Sequence, residues 1–344
     1  MLFSTPEAFA TVLAELPSPN EELRAAAAAR QEQLTKPPGS LGRLEDISTW
    51  LASWQPDGIP RAEIAKVIVF AGNHGVTAQG VSPYPPAVTA QMVANFQAGG
   101  AAINSISSTL GLELDVVALS LETPTADITT SPAMTVSETL EALNAGAAAV
   151  GDEIDVLVLG EMGIGNTTIA AALCATVFGD SGADWVGPGT GHDQAGVARK
   201  ANIVDKALAR AELNNPPGQH SAFKTLRQLG GREQAAIAGA ILAARQKRVP
   251  VVIDGYVVTA CLAPMFKENP AIIAHCIAGH VSAEPAHAKA LRNMKLDPLL
   301  NLGMRLGEGT GAALAVAIVR AAAATHNDMA TFGQASVENR PDAQ

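Results

Sequence analysis

Glu308 stands between two glycines in MRLGEGTGAALA (304–315), directly before an apolar stretch of helical character. A glycine-rich turn entering a helix normally offers its N–H groups to an anion. A carboxylate in that place is instead suited to a proton or a cation. An acid in the first turn of a helix gains roughly 0.3–1 kcal/mol from the macrodipole, and that pull lowers its pKa. The sequence therefore predicts a Glu308 that stays ionised: a poor general acid, but a usable base or acceptor for a substrate N–H that turns acidic during reaction. The same residues also read as a plain dipole-stabilising acid.

GEMGIGNTTIAAAL (160–173) has the form strand, glycine turn, helix. Gly163 and Gly165 free backbone N–H groups to face inward, and Asn166, Thr167 and Thr168 are natural helix-start residues. The form fits a monophosphate cradle or an ordinary capped turn, but not a Walker A loop or a dinucleotide fingerprint. Glu161, at the strand exit, reads as an acceptor for ribose hydroxyls, a holder of a catalytic partner, or a capping acid. A second glycine loop, GPGTGHD (187–193), precedes Arg199 and Lys200; Lys200 reads as a phosphate-side ammonium or as part of a solvated helix face. In VVIDGY (251–256) Asp254 stands alone, without the paired acids and Thr-Gly loop of a pyrophosphate–magnesium site.

The seven histidines form no metal signature. His280 and His287 bracket Pro285 and differ from HExxH, and His74 and His192 are isolated in loops. Cys174, Cys261 and Cys276 form no CxxC pair, and their apolar surroundings suit core packing.

These groups must be positioned by a chain of 344 residues that is 48% hydrophobic, 4% aromatic and 16% charged. So few charges predict a largely buried chain and permit a subunit interface. The net charge of −10 argues against nucleic-acid and anionic-membrane partners, which need clustered cations. The N-terminal stretch has acids and no basic n-region, and no apolar run approaches the ~20 residues of a membrane span. The expectation is a soluble cytoplasmic protein.

The first ~55 residues read as helices by period: one marked by Phe9, Val12, Leu13 and Leu16, one from Leu23 to Leu34, and one from Leu41 to Trp54. Apolar runs at Lys66–Gly72, Leu114–Leu121, Ile154–Gly163, Ala183–Gly189, Val249–Gly255 and Ala271–His280 read as strands covered on both faces. Helical stretches at Ala87–Leu110, Val136–Val150, Asn166–Phe178, Gln194–Ala211, Arg232–Arg245 and Tyr256–Phe266 alternate with them. Asn214–Gly218 reads as an exposed turn. The alternation predicts an α/β, doubly wound, mainly parallel sheet, with ligands at the strand C-termini.

KPPGSLGRLE (36–45), NHGV (73–76), GEMGIGNTT (160–168), DGY (254–256), HVSAE (280–284) and RLGEGTGAALA (305–315) occur in this order and spacing. Over about residues 15–325 the chain closely resembles the nicotinate-nucleotide:dimethylbenzimidazole phosphoribosyltransferase family. The resemblance implies transfer of phosphoribose from nicotinate mononucleotide to 5,6-dimethylbenzimidazole, with inversion, giving α-ribazole 5′-phosphate for cobalamin. It implies no metal, no pyrophosphate and no cofactor. It also implies a homodimer with a Rossmann-like large domain (61–324) and a small helical domain from both chain ends (1–60 with 325–344). Glu308 matches the family's catalytic base and Glu161 its second carboxylate. Gly163, Gly165, Asn166, Thr167, Lys200 and Ser282 match the phosphoribosyl site. Ser82, Tyr84, Gln91, Met92 and Leu306 fall where the azole pocket is expected; Tyr84 and Met92 align with a serine and a glutamine of some family members.

Overall fold

The computed structural model describes residues 2–189, 191, 193–211 and 221–339. His192 and the turn expected at Asn214–Gly218 lie outside them. Five parallel strands form one sheet in the order β2-β1-β3-β4-β5. They are β1 (Ala65–Ala71), β2 (Glu113–Ala118), β3 (Val156–Met162), β4 (Val251–Ile253) and β5 (Cys276–Ala278). This is a doubly wound, Rossmann-like sheet. Its order reverses between β1 and β3, and ligands of such sheets bind outside the strand C-termini at that point.

Alternate side chains of each central strand enter opposite cores. Ile68, Phe70, Leu157, Leu159, Val251 and Ile253 join one; Val67, Val69, Val156, Val158 and Val252 join the other. Both faces being covered, the strands read as unbroken apolar runs. Helix Asn166–Phe178 is buried nearly all round, and its small side chains admit neighbours on every side. Cys174, Cys261 and Cys276 are free and buried.

Helices Glu21–Gln31 and Arg43–Trp54 lie beside the C-terminal helix Thr310–Asp328. Arg30 donates to the carbonyls of His326 and Asn327 at 2.8 and 3.0 Å, and Leu34 pairs with Thr331 in an antiparallel bridge. In KPPGSLGRLE the end residues meet: Lys36 Nζ is 2.8 Å from Glu45 Oε1, so the motif closes its own loop. The first helix, Pro6–Ala14, instead sends Phe9 and Leu13 into the core that also holds Phe223 and Ile68.

Several elements differ from the sequence expectation. Ala183–Gly189 is not a strand: Asp184 accepts hydrogen bonds from Ser181 N and Oγ, a short 3₁₀ turn spans Gly182–Asp184, and the chain continues irregularly. Its apolar character comes from Trp185, fully buried against Phe178. Ala271–His280 is extended only at its end, because Pro270–His275 winds as a 3₁₀ helix. Ala87–Leu110 is two helices, Ala87–Gln97 and Ala102–Leu110, parted at Gly99, whose φ is 79°. Helices Ala222–Leu229 and Pro285–Asn293 are additional to those expected. Among the described residues no helix is long and apolar enough to cross a membrane.

Candidate active site

A cavity of about 580 Å³ opens at the C-terminal ends of β3, β4 and β5. A depression of about 560 Å³ near residues 18–23 and Arg248 lies at the opposite edge, where β4 begins. The cavity brings together Glu161, Gly163, Asn166, Thr167, Ser282, Glu308, Tyr84, Met92 and Leu306 from the sequence candidates. Gly165, Lys200, Ser82 and Gln91 do not line it.

The phosphate-type turn is built as its sequence suggests. Gly165 adopts φ 91° and hands the chain to the helix at Asn166. A side chain at Gly165 would meet Thr77 Cγ2 at 2.9 Å. Lys200 stands behind the turn, 1% exposed, its ammonium donating to Thr167 Oγ1 at 3.0 Å and the Gly187 carbonyl at 2.9 Å. Burial pulls its pKa down to about 8, against the favourable charge of Glu284.

Glu161 is the penultimate residue of β3, 9% exposed, and Asn166 Nδ2 donates to its Oε2. Burial first, then the negative charge of Asp254, raises its pKa to about 8. Glu308 follows in space: its N–H donates to the Glu161 carbonyl at 3.2 Å. Gly307, Glu308 and Gly309 are all left-handed, with φ of 87°, 62° and 82°. A side chain at Gly307 would strike Glu161 Oε1 at 2.3 Å, so the turn carries the acid between glycines because the neighbouring acid fills the space.

The expectation of a lowered Glu308 pKa is corrected. Glu308 precedes the helix Thr310–Asp328 in a left-handed residue rather than sitting in its first turn. Its Oε2 accepts weakly from Ile103 N at 3.4 Å, near the start of helix Ala102–Leu110. Burial outweighs that hydrogen bond and, with the charge of Asp254, raises the pKa. Such a carboxylate is a stronger base once ionised.

Several functional neighbours escape the sequence reading. Asp254 accepts from Gly309 N at 3.2 Å and Ala312 N at 2.9 Å, holding the turn and the next helix together. His287 Nδ1 accepts from Ser282 N at 2.8 Å; a backbone N–H can only donate, so the ring proton is on Nε2, facing Thr259 Oγ1 at 3.0 Å. Burial holds this ring neutral, its pKa down near 3. Arg305 lines the mouth and donates to the Gly189 carbonyl at 3.0 Å. His74 lies under Gly163, its Nε2 2.8 Å from Glu233 Oε1, both side chains fully buried. Their partners are distant in sequence, so the NHGV, DGY, HVSAE and RLGEGTG motifs mark His74, Asp254, Glu284 and Arg305 but not what they contact.

A Rossmann-like sheet bearing a phosphate-type turn beside paired acids at its switch point defines a class of nucleotide-handling transferase, and a phosphoribosyltransferase family model matches residues 16–337. The nicotinate-nucleotide–dimethylbenzimidazole phosphoribosyltransferase of Novosphingobium aromaticivorans is 55% identical over 336 residues, 97% of this chain and 98% of that one. Its counterpart in Rhizobium rhizogenes is 53% identical over 334 residues, 96% and 97% of the two chains. The crystal structure of CobT from Thermus thermophilus superposes with a TM-score of 0.87 at 40% identity, covering 93% of this chain and 100% of that chain. The chain belongs to the nicotinate-nucleotide:dimethylbenzimidazole phosphoribosyltransferase family.

Proposed function

We infer that this enzyme transfers 5-phosphoribose from nicotinate mononucleotide to 5,6-dimethylbenzimidazole, releasing nicotinate and α-ribazole 5′-phosphate in assembly of the cobalamin lower ligand. The observation that carries the reading is the backbone hydrogen bond from Glu308 to Glu161, which fixes two acids on one cavity wall beside the phosphate-type turn. The phosphate sits on the turn 163–167, with Lys200 supporting Thr167 from behind. Nicotinate leaves from a pyridinium: the C1′–N bond breaks, its electron pair stays on the ring nitrogen, and no acid is needed. One azole nitrogen attacks C1′ from the opposite face, inverting it. The other nitrogen's proton passes to Glu308. Holding the azole in line supplies much of the rate, and the charge of Glu308 stabilises oxocarbenium-like charge at C1′, while Glu161, its pKa near 8, is largely protonated at neutral pH.

Tyr84, Met92 and Leu306 form the azole side; Ser82 and Gln91 act at most from behind it, since neither lines the cavity. The Ser82 hydroxyl accepts from Tyr84 N at 3.2 Å. On this reading the enzyme works in the cytoplasm as a homodimer, which accords with the exposed apolar side chains of Tyr84, Leu302 and Leu306 near the mouth. Its small helical domain is drawn from both chain ends, residues 1–60 with 325–344.

The test is to mix the protein with nicotinate mononucleotide and dimethylbenzimidazole, chelator present, and follow nicotinate by chromatography. Azole-dependent release with an α-riboside phosphate as product is expected. Binding without release would make the protein a sensor, and release without azole a hydrolase.

A further inference from the structure

We propose that Glu284 is the acceptor for the ribose hydroxyls of the donor, and so the residue by which the site tells a ribosyl from a deoxyribosyl nucleotide. The inference rests on the donor assigned above.

Residues 280–282 carry the chain beyond β5, and it bends at 283–284 before the helix Pro285–Asn293. Val281 N and Ala283 N each donate at 2.8 Å, to the carbonyls of Leu300 and Met304. His280, Ser282 and Glu284 all line the cavity. Ser282 is hydrogen-bonded, and His280 faces an acid without a hydrogen bond to it. His280 Nε2 is 3.3 Å from Asp254 Oδ1, and Ser282 is held by His287 through its N–H, with its Oγ 2.9 Å from the same ring nitrogen. Glu284 is only 6% exposed, yet neither carboxylate oxygen has a hydrogen-bond partner among the described residues. The nearby ammonium of Lys200 is committed to Thr167 and Gly187.

A buried carboxylate without donors costs its full desolvation. It persists where a ligand brings the donors. The other cavity acids already have one each: Glu161 from Asn166, Glu308 from Ile103. Nicotinate mononucleotide offers few donors in return. Its phosphate and carboxylate are acceptors, and the pyridinium nitrogen bears no hydrogen. The vicinal 2′- and 3′-hydroxyls remain, and a carboxylate can accept from both at once. Glu284 is also next to the loop that carries Gly187, since a side chain there would meet its Oε2 at 2.2 Å. That puts it close to the turn assigned to the phosphate, where the sugar of a bound nucleotide begins.

The experiment is a binding titration without azole, so it needs no turnover. The affinities of the wild type, E284Q and E284A for nicotinate mononucleotide and for its 2′,3′-dideoxy analogue form a double-mutant cycle. The wild type is expected to favour the ribosyl donor roughly 10- to 100-fold, as hydrogen bonds to a charged acceptor allow. In E284A that preference falls to within about threefold, with E284Q between the two. A preference unchanged in both variants overturns the proposal, even if both bind more weakly, because loss shared equally by the two donors is a structural or net-charge effect. Wild-type protein that binds the ribosyl donor without releasing nicotinate to the azole would sink the transferase reading alone, and the cycle would still decide Glu284. Wild-type protein that does not bind the donor overturns both.

Discussion

Glu308 holds its position at a conformational cost. A non-glycine residue in the left-handed region costs about 1–2 kcal/mol, and here it lies between two glycines of the same hand. The turn thus fixes the carboxylate before any ligand arrives. Glu308→Ala is expected to lower kcat by roughly 10²–10⁴, the usual worth of a general base, while donor affinity measured by titration changes little. Glu161 makes a different prediction. Its pKa of about 8 in the folded protein stands above the ordinary 4.5, so between those values the folded chain holds a proton that the unfolded chain has released. Stability contributed in the protonated form is therefore lost as pH rises through about 8, on the order of 4–5 kcal/mol in all. Glu161→Gln removes the penalty. Its melting temperature should exceed that of the wild type by a margin that opens between about pH 4.5 and pH 8 and is level above that, and a constant margin would contradict the assigned burial.

At the scale of elements, Asp254 joins β4 to the helix Thr310–Asp328, far along the chain, by accepting from Gly309 and Ala312. Asp254→Asn should cost about 1–3 kcal/mol of stability in denaturant titration, because one backbone donor loses a charged acceptor. It should also move the acid limb of the kcat/KM profile to lower pH, since the negative charge that raises both Glu161 and Glu308 is gone. This level also sets what the sequence discloses. Helix Asn166–Phe178 is legible because a left-handed glycine, helix-start polar residues and a small apolar run follow one another locally. Ala183–Gly189 misleads because Trp185 and its neighbouring valine are buried by packing rather than by strand pairing. Glu284, His287 and Asp254 take their meaning from partners on other elements, so their spacing in the chain says little. The pKa direction of Glu308 is illegible for the same reason: local order supplies the dipole, and only packing supplies the burial that outweighs it.

For the whole molecule, the parallel run of β3, β4 and β5 brings the turn after β3, the HVSAE segment beyond β5 and the RLGEGTG turn before the last long helix to one sheet edge. The alternation of strands and helices foretells that edge; the strand order is visible only once the sheet is built. The helix Thr310–Asp328 is braced by the N-terminal helices and by the pairing of residues 33–35 with 330–332. A chain ending at Asp328 should therefore keep its sheet but show faster amide exchange at Thr35, whose N–H bonds the Ala330 carbonyl at 3.1 Å. Unchanged protection there would mean that helix packing alone holds the two ends.

The cavity is walled by Glu161, Glu284 and Glu308, with Arg305 at its mouth. The donor enters with a positive ring, which such a wall attracts. When the bond to C1′ breaks, the ring loses its charge and the departing molecule is a plain anion. Glu284, the acid of that wall that takes no proton in the reaction, now repels it. Nicotinate should therefore inhibit only at concentrations well above the donor KM in product-inhibition kinetics.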